Sequence, residues 1–141
     1  MVAGTGSGAG GRSRLARVAV PLPPGLAGLA PISAAVRAGD LVVLSGCVAL
    51  DPATGQPRGR TVAAQTRDVF AQITEVLDRA GGRLTDVVRC VCYLTDAAGA
   101  RELDVVFRET FPVDPPVRTT VVCGLVRPGL LVEIEATAVL G

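Results

Sequence analysis

Two charged residues stand where charge is unusual. Arg118 follows Pro-Pro-Val in PPVRTTV, and Glu133 sits inside VEIEATAV, an otherwise apolar segment. A guanidinium is a planar fork of donors that is always charged, and it fits a carboxylate bidentately. A glutamate within an apolar strand is costly unless paired, so it is a candidate for chemistry. On pattern alone the two carry different weight. An arginine at a strand start is more often a solvated or ion-paired residue than a ligand. For Glu133 a structural and a functional role are evenly balanced. Glu135 points to the same face two residues on and reads as structural, placed to pair with an arginine of a neighbouring subunit.

The composition removes whole classes of mechanism. The 141 residues include no histidine, so His-based acid–base catalysis, Ser-His-Asp triads and His-ligated metals are excluded. Net charge is +1 with no basic stripe, and aromatics make up only 3%, which argues against binding nucleic acid by phosphate contacts or base stacking. Of the four cysteines, Cys90 and Cys92 form a C-x-C pair that alternation puts on one strand face. Paired C-x-x-C knuckles are missing, and buried thiols packing as small hydrophobes are the stronger reading, so no metal is expected. No secretory h-region precedes the cysteines and no apolar run has transmembrane length. A cytoplasmic protein without a membrane or nucleic-acid partner is the simplest expectation.

The elements that must position these residues follow from periodicity. Residues 1–14 are Gly- and Ser-rich and read as a flexible tail, leaving 15–141 as one domain. Leu15–Val20 reads as a first strand stopped by PLPPG, and Ala34–Ala38 and Leu41–Ser45 as a hairpin about Gly39-Asp40. Val48–Leu50 continues extended into the turn-rich DPATGQ. From Val62 to Ala80, Val62, Val69, Ile73, Val76 and Leu77 recur at helical spacing, with Thr61 as N-cap and Gly81-Gly82 as terminator. VVRCVCYL, 87–94, reads as a central strand, and Asp96 as the cap of a second helix with stripe Leu103, Val106, Phe107 and Phe111. Arg118–Leu125 and Leu131–Leu140 complete the order β-β-β-α-β-α-β-β, an α+β fold with both helices on one face of a mixed sheet. In the last strand Val132, Ile134, Ala136, Ala138 and Leu140 face the helices. Leu131, Glu133, Glu135, Thr137 and Val139 line the opposite, half-apolar face, more than a monomer leaves in water, so a homo-oligomer is expected.

The SGxVALDPATGQ segment, the long helix ending in AGG, the strand with YLTD, PPVRTTV and VEIEATAV, in that order from about Pro31 to the C-terminus, together resemble the RidA/YjgF family of enamine/imine deaminases. The resemblance implies a chorismate-mutase-like α+β subunit, a homotrimer with active sites in the clefts between subunits, and neither metal nor organic cofactor. It gives Arg118 the substrate carboxylate and Glu133 the attacking water. It makes Ser45 and Gly46 pocket lining, and puts Thr119 and Thr120 beside the arginine. Where the family often has an aromatic, glutamine and asparagine, this chain has Ile32, Cys47 and Asp104, departures that reshape the pocket.

These residues suit a reaction needing neither histidine nor metal. Arg118 fixes the carboxylate of a 2-imino acid or 2-aminoacrylate tautomer, and Glu133 orients or deprotonates water for attack on the C=N carbon. A small carboxylate-bearing substrate is the expected partner. Two alternatives stay open: a pathway-specific relative with a repurposed cleft for a larger enamine or carbonyl compound, motivated by Ile32 and Cys47, and a non-catalytic ligand-binding or chaperone-like trimer. Some family members are described as ribonucleases, which the absent histidines and flat charge disfavour here.

Overall fold

Strand alternation and turn chemistry generate a meander first. β1 (Arg17–Pro21), β2 (Ser33–Ala38) and β3 (Leu41–Leu44) pair antiparallel in succession, with Ala38 opposite Leu41 across the two-residue turn. Gly39 opens that turn at φ +62°, a conformation a side chain resists. The computed structural model describes residues 15–141, so the 1–14 tail lies outside the described residues. β4 (Cys47–Val48), β5 (Val87–Leu94), β6 (Val117–Val122) and β7 (Val132–Val139) complete one sheet of order β1-β2-β3-β7-β5-β6, with β4 also on β7. β5 and β6 run parallel because a helix connects them; every other pairing is antiparallel.

α1 (Val62–Arg79) and α2 (Ala100–Thr110) both cover one face of that sheet. Thr61 Oγ1 accepts from Ala64 N at 3.1 Å to start α1. At the other end Gly82 N donates to Leu77 O and Gly81 N to Asp78 O, with Gly81 at φ +87°, a Schellman stop. The expected stripe of α1 is buried from Val69 to Leu77, with Val62 only partly so. Phe70, Phe107 and Phe111 join the two helices, ring centroids 5.0–5.8 Å apart. Val132, Ile134, Ala136 and Ala138 are buried beneath the helices, as their alternation requires. Cys90 and Cys92 are wholly buried in the same core, and burial pushes their thiols up to about 12 and about 11. They are core side chains, not thiolates.

Two expectations change. Asp96 caps a 3-10 turn, Ala97–Gly99, rather than the α-helix: its Oδ1 accepts from Ala98 N at 2.8 Å, and α2 begins only after Gly99. Gly99 packs against Val62 so closely that a Cβ there would meet it, which holds the chain against α1 before the helix starts. The extended run expected at Val48–Leu50 lies one residue earlier as β4, and Leu50 makes only an isolated bridge to Pro57. No helix among the described residues is long and apolar enough to cross a membrane.

Candidate active site

Glu133 lies near the start of β7, paired with Val48 of β4 on one side and Tyr93 of β5 on the other. Between β3 and β4 the register against β7 slips by one residue: Val43 faces Thr137, yet Cys47 faces Ile134. The extra residue is a bulge at Ser45-Gly46, a device that bends a strand and re-aims side chains. It brings Gly46 beneath the Glu133 carboxylate, where a Cβ would collide with Oε1. Ser45 Oγ donates to Ser33 O at 2.7 Å, tying the bulge to the start of β2. The Cys47 thiol donates to Ser45 O at 3.5 Å. Burial, and then the Glu133 charge, push that thiol up to about 12, so it is protonated at neutral pH and no nucleophile.

Glu133, Ser45, Gly46 and Cys47 open into a cleft of about 450 Å³ whose lip carries Ile32. Enclosure first, and the neighbouring Glu135 second, hold the Glu133 carboxyl above the usual glutamate value. Glu135 itself accepts from Tyr93 Oη at 3.3 Å. Such a group keeps its proton to higher pH and then becomes a stronger base.

Arg118 belongs to a second cluster. It is the second residue of the edge strand β6, opposite Cys90, and its side chain turns toward α2. One Nη donates to Asp104 Oδ1 at 2.7 Å, and the guanidinium carbon stands 4.7 Å from the centre of the Phe107 ring. Asp104 thereby orients the fork without occupying all its donors. Thr120, opposite Cys92, shares the Arg118 side of the sheet, while Thr119 between them takes the other side; all three residues are exposed.

The structure therefore brings Ile32, Ser45, Gly46, Cys47 and Glu133 together, and separately Arg118, Asp104 and Thr120. Within one chain the two clusters do not meet. Arg118 and Glu133 are two strands apart and face opposite sides of the sheet, roughly 14 Å between backbones. Sequence reasoning missed the far wall of the cleft, where Leu22, Leu26, Leu29 and Val126 line the space. The three leucines sit at helical spacing inside a Pro-rich run read as a strand stop; Leu26 N and Ala27 N both donate to Pro23 O and Leu29 N to Leu26 O, two successive turns.

The family model described as Endoribonuclease L-PSP matches residues 25–140, nearly the whole described chain. The chain belongs to the YjgF/RidA family. Among solved structures, Rv2704 of Mycobacterium tuberculosis, a YjgF/YER057c/UK114 family member, is 38% identical over 89% of this chain and 100% of its own, with TM-score 0.78. RidA of an Antarctic Psychrobacter is 30% identical, covering 92% of this chain and 100% of that one, TM-score 0.75. YyfA of Yersinia pestis, of the Rid family, is 25% identical over 89% and 100%, TM-score 0.80. The likeness to these structures extends over the sheet and both helices.

Proposed function

We propose that the chain forms a cytoplasmic homotrimer that hydrolyses 2-enamine and 2-imine carboxylates to 2-oxo acids and ammonia, each site joining the Glu133 cleft of one subunit to the Arg118 edge of the next. The observation that carries this reading is the segregation of the two groups. A carboxylate in a cleft and an arginine fork on an exposed strand lie on opposite faces of one sheet, so neither completes a site alone. A ring of head-to-tail subunits puts such faces together. The apolar open face supplies the contact area: Val43, Val121 and Val139 are each more than 40% exposed there.

In that joint site Arg118 binds the carboxylate and fixes the neighbouring C=N carbon. Glu133 takes a proton from water as the new C–O bond forms and passes it to the imine nitrogen, giving a carbinolamine. Glu133 then takes the carbinolamine hydroxyl proton and delivers it to the amine as the C–N bond breaks, so that ammonia leaves behind a 2-oxo acid. Imines hydrolyse unaided in water, so placement and one base suffice. RNA cleavage, which the family model's description suggests, fits poorly: the chain has no histidine and a net charge of +1. Ile32 and Cys47 keep open a related enzyme whose cleft takes a larger substrate. The test is 2-oxo acid release from imines generated in situ. Wild type is expected to exceed the spontaneous rate and both Arg118→Ala and Glu133→Ala to lose the excess; equal rates for all three overturn the proposal.

A further inference from the structure

The cleft is far roomier than its reacting end needs. A three-carbon imino acid has about six heavy atoms, whereas clefts of this volume, about 450 Å³, are the size that holds much larger ligands. Beyond Glu133, Ser45 and Gly46, the space is walled by Leu22, Leu26, Leu29, Ile32, Val76 and Val126. The leucine segment is a fixed wall, because Gly25 rests on the Pro52 carbonyl so closely that a side chain there would collide with it. The polar groups that remain are mostly committed. Gln72 donates to Val48 O at 3.0 Å and to Asp68 Oδ2 at 2.8 Å, and Arg127 reaches the Gly55 carbonyl at 3.4 Å. Glu75 is exposed and repels a second carboxylate.

The position of Ile32 decides how much of this room is usable. It lines the cleft together with both the polar end and the leucines and is 51% exposed. An aromatic ring at that position covers more of the wall; an isoleucine leaves it open and apolar. Resting on the deaminase reading of this same site, we infer that the preferred substrates are 2-imino carboxylates with an unbranched or leucine-like aliphatic side chain of roughly four carbons, which lies along the leucine wall while the C=N carbon sits by Glu133.

The test is a ladder of imines made by an amino-acid oxidase from alanine, 2-aminobutyrate, norvaline, leucine, norleucine and glutamate, with 2-oxo acid formation read above the spontaneous rate. kcat/KM is expected to rise about four-fold per added methylene up to norleucine, and to be low for the glutamate-derived imine. Ile32→Tyr and Leu26→Asp should each lower the norleucine-to-alanine ratio at least ten-fold, a comparison that partial misfolding does not affect. A flat ladder, with every imine hydrolysed, leaves the deaminase reading intact and overturns the substrate class; it means that a neighbouring subunit fills the wall. Preference for the glutamate-derived imine overturns it too and points to Arg127. No hydrolysis of any imine by a folded oligomer overturns the deaminase reading and this inference with it.

Discussion

At the scale of single residues, Gly46 and Glu133 are one device. The missing Cβ is what allows the carboxylate to lie over the bulge. In Gly46→Ala the displaced atom is the end of a flexible side chain, so the fold should survive while the base moves; kcat/KM is expected to fall about a hundred-fold with an unchanged urea midpoint. The raised Glu133 carboxyl sets the sign of two pH effects. As the base it must be ionised, so the acid limb of kcat/KM should have an apparent pKa above the usual 4.5. For stability, the folded chain keeps a proton that the unfolded chain has already released, so the group costs stability as pH rises through its folded value. Glu133→Gln is therefore expected to raise the urea midpoint at pH 7 and much less at pH 4. A fall at pH 7 would mean that the charge is fully compensated, as by an arginine from a neighbour. These effects were only partly legible: VEIEATAV marks Glu133 as a costly charge, but the bulge beneath it depends on strand partners distant in sequence.

At the scale of elements, both helices were readable from stripes that ended up buried, and α1 also from its punctuation, Thr61 before it and Gly81-Gly82 after it, whereas Asp96 marks a 3-10 turn ahead of α2. β4 was not, since two residues carry no periodicity and exist only through pairing with β7. Nor does any local signal place β7 between β3 and β5. One polar residue on α1 has a role the stripe conceals. Gln65 is wholly buried, its amide donating to Gly59 O at 3.2 Å and Gly129 O at 2.8 Å while its oxygen accepts from Leu131 N at 2.8 Å. It clamps the turn leading into β7, two residues before Glu133. Gln65→Leu removes these bonds from three backbone groups, of which Gly59 and Gly129 belong to exposed residues and Leu131 to a half-buried one, so urea unfolding should show a loss of about 2 kcal/mol. A loss below about 1 kcal/mol would mean water replaces the amide.

At the scale of the whole molecule, alternation assigns Arg118 and Glu133 to opposite faces only once the strand order is known, so their separation could not be read from either motif. What was legible was the surplus of apolar surface. Val43, Val121 and Val139 remain exposed on the open face, and Val43→Asp is expected to give monomers by sedimentation, with secondary structure kept and activity lost. The most direct test of the shared site mixes two inactive proteins. Arg118→Ala subunits retain the Glu133 cleft, and Glu133→Ala subunits retain the arginine edge. Co-refolded in equal amounts, they are predicted to regain about a quarter of wild-type imine hydrolysis, the share of random neighbours that pair one intact half with the other. If mixed oligomers form and no activity returns, Arg118 and Glu133 do not act across a subunit boundary, and the account of this site is wrong.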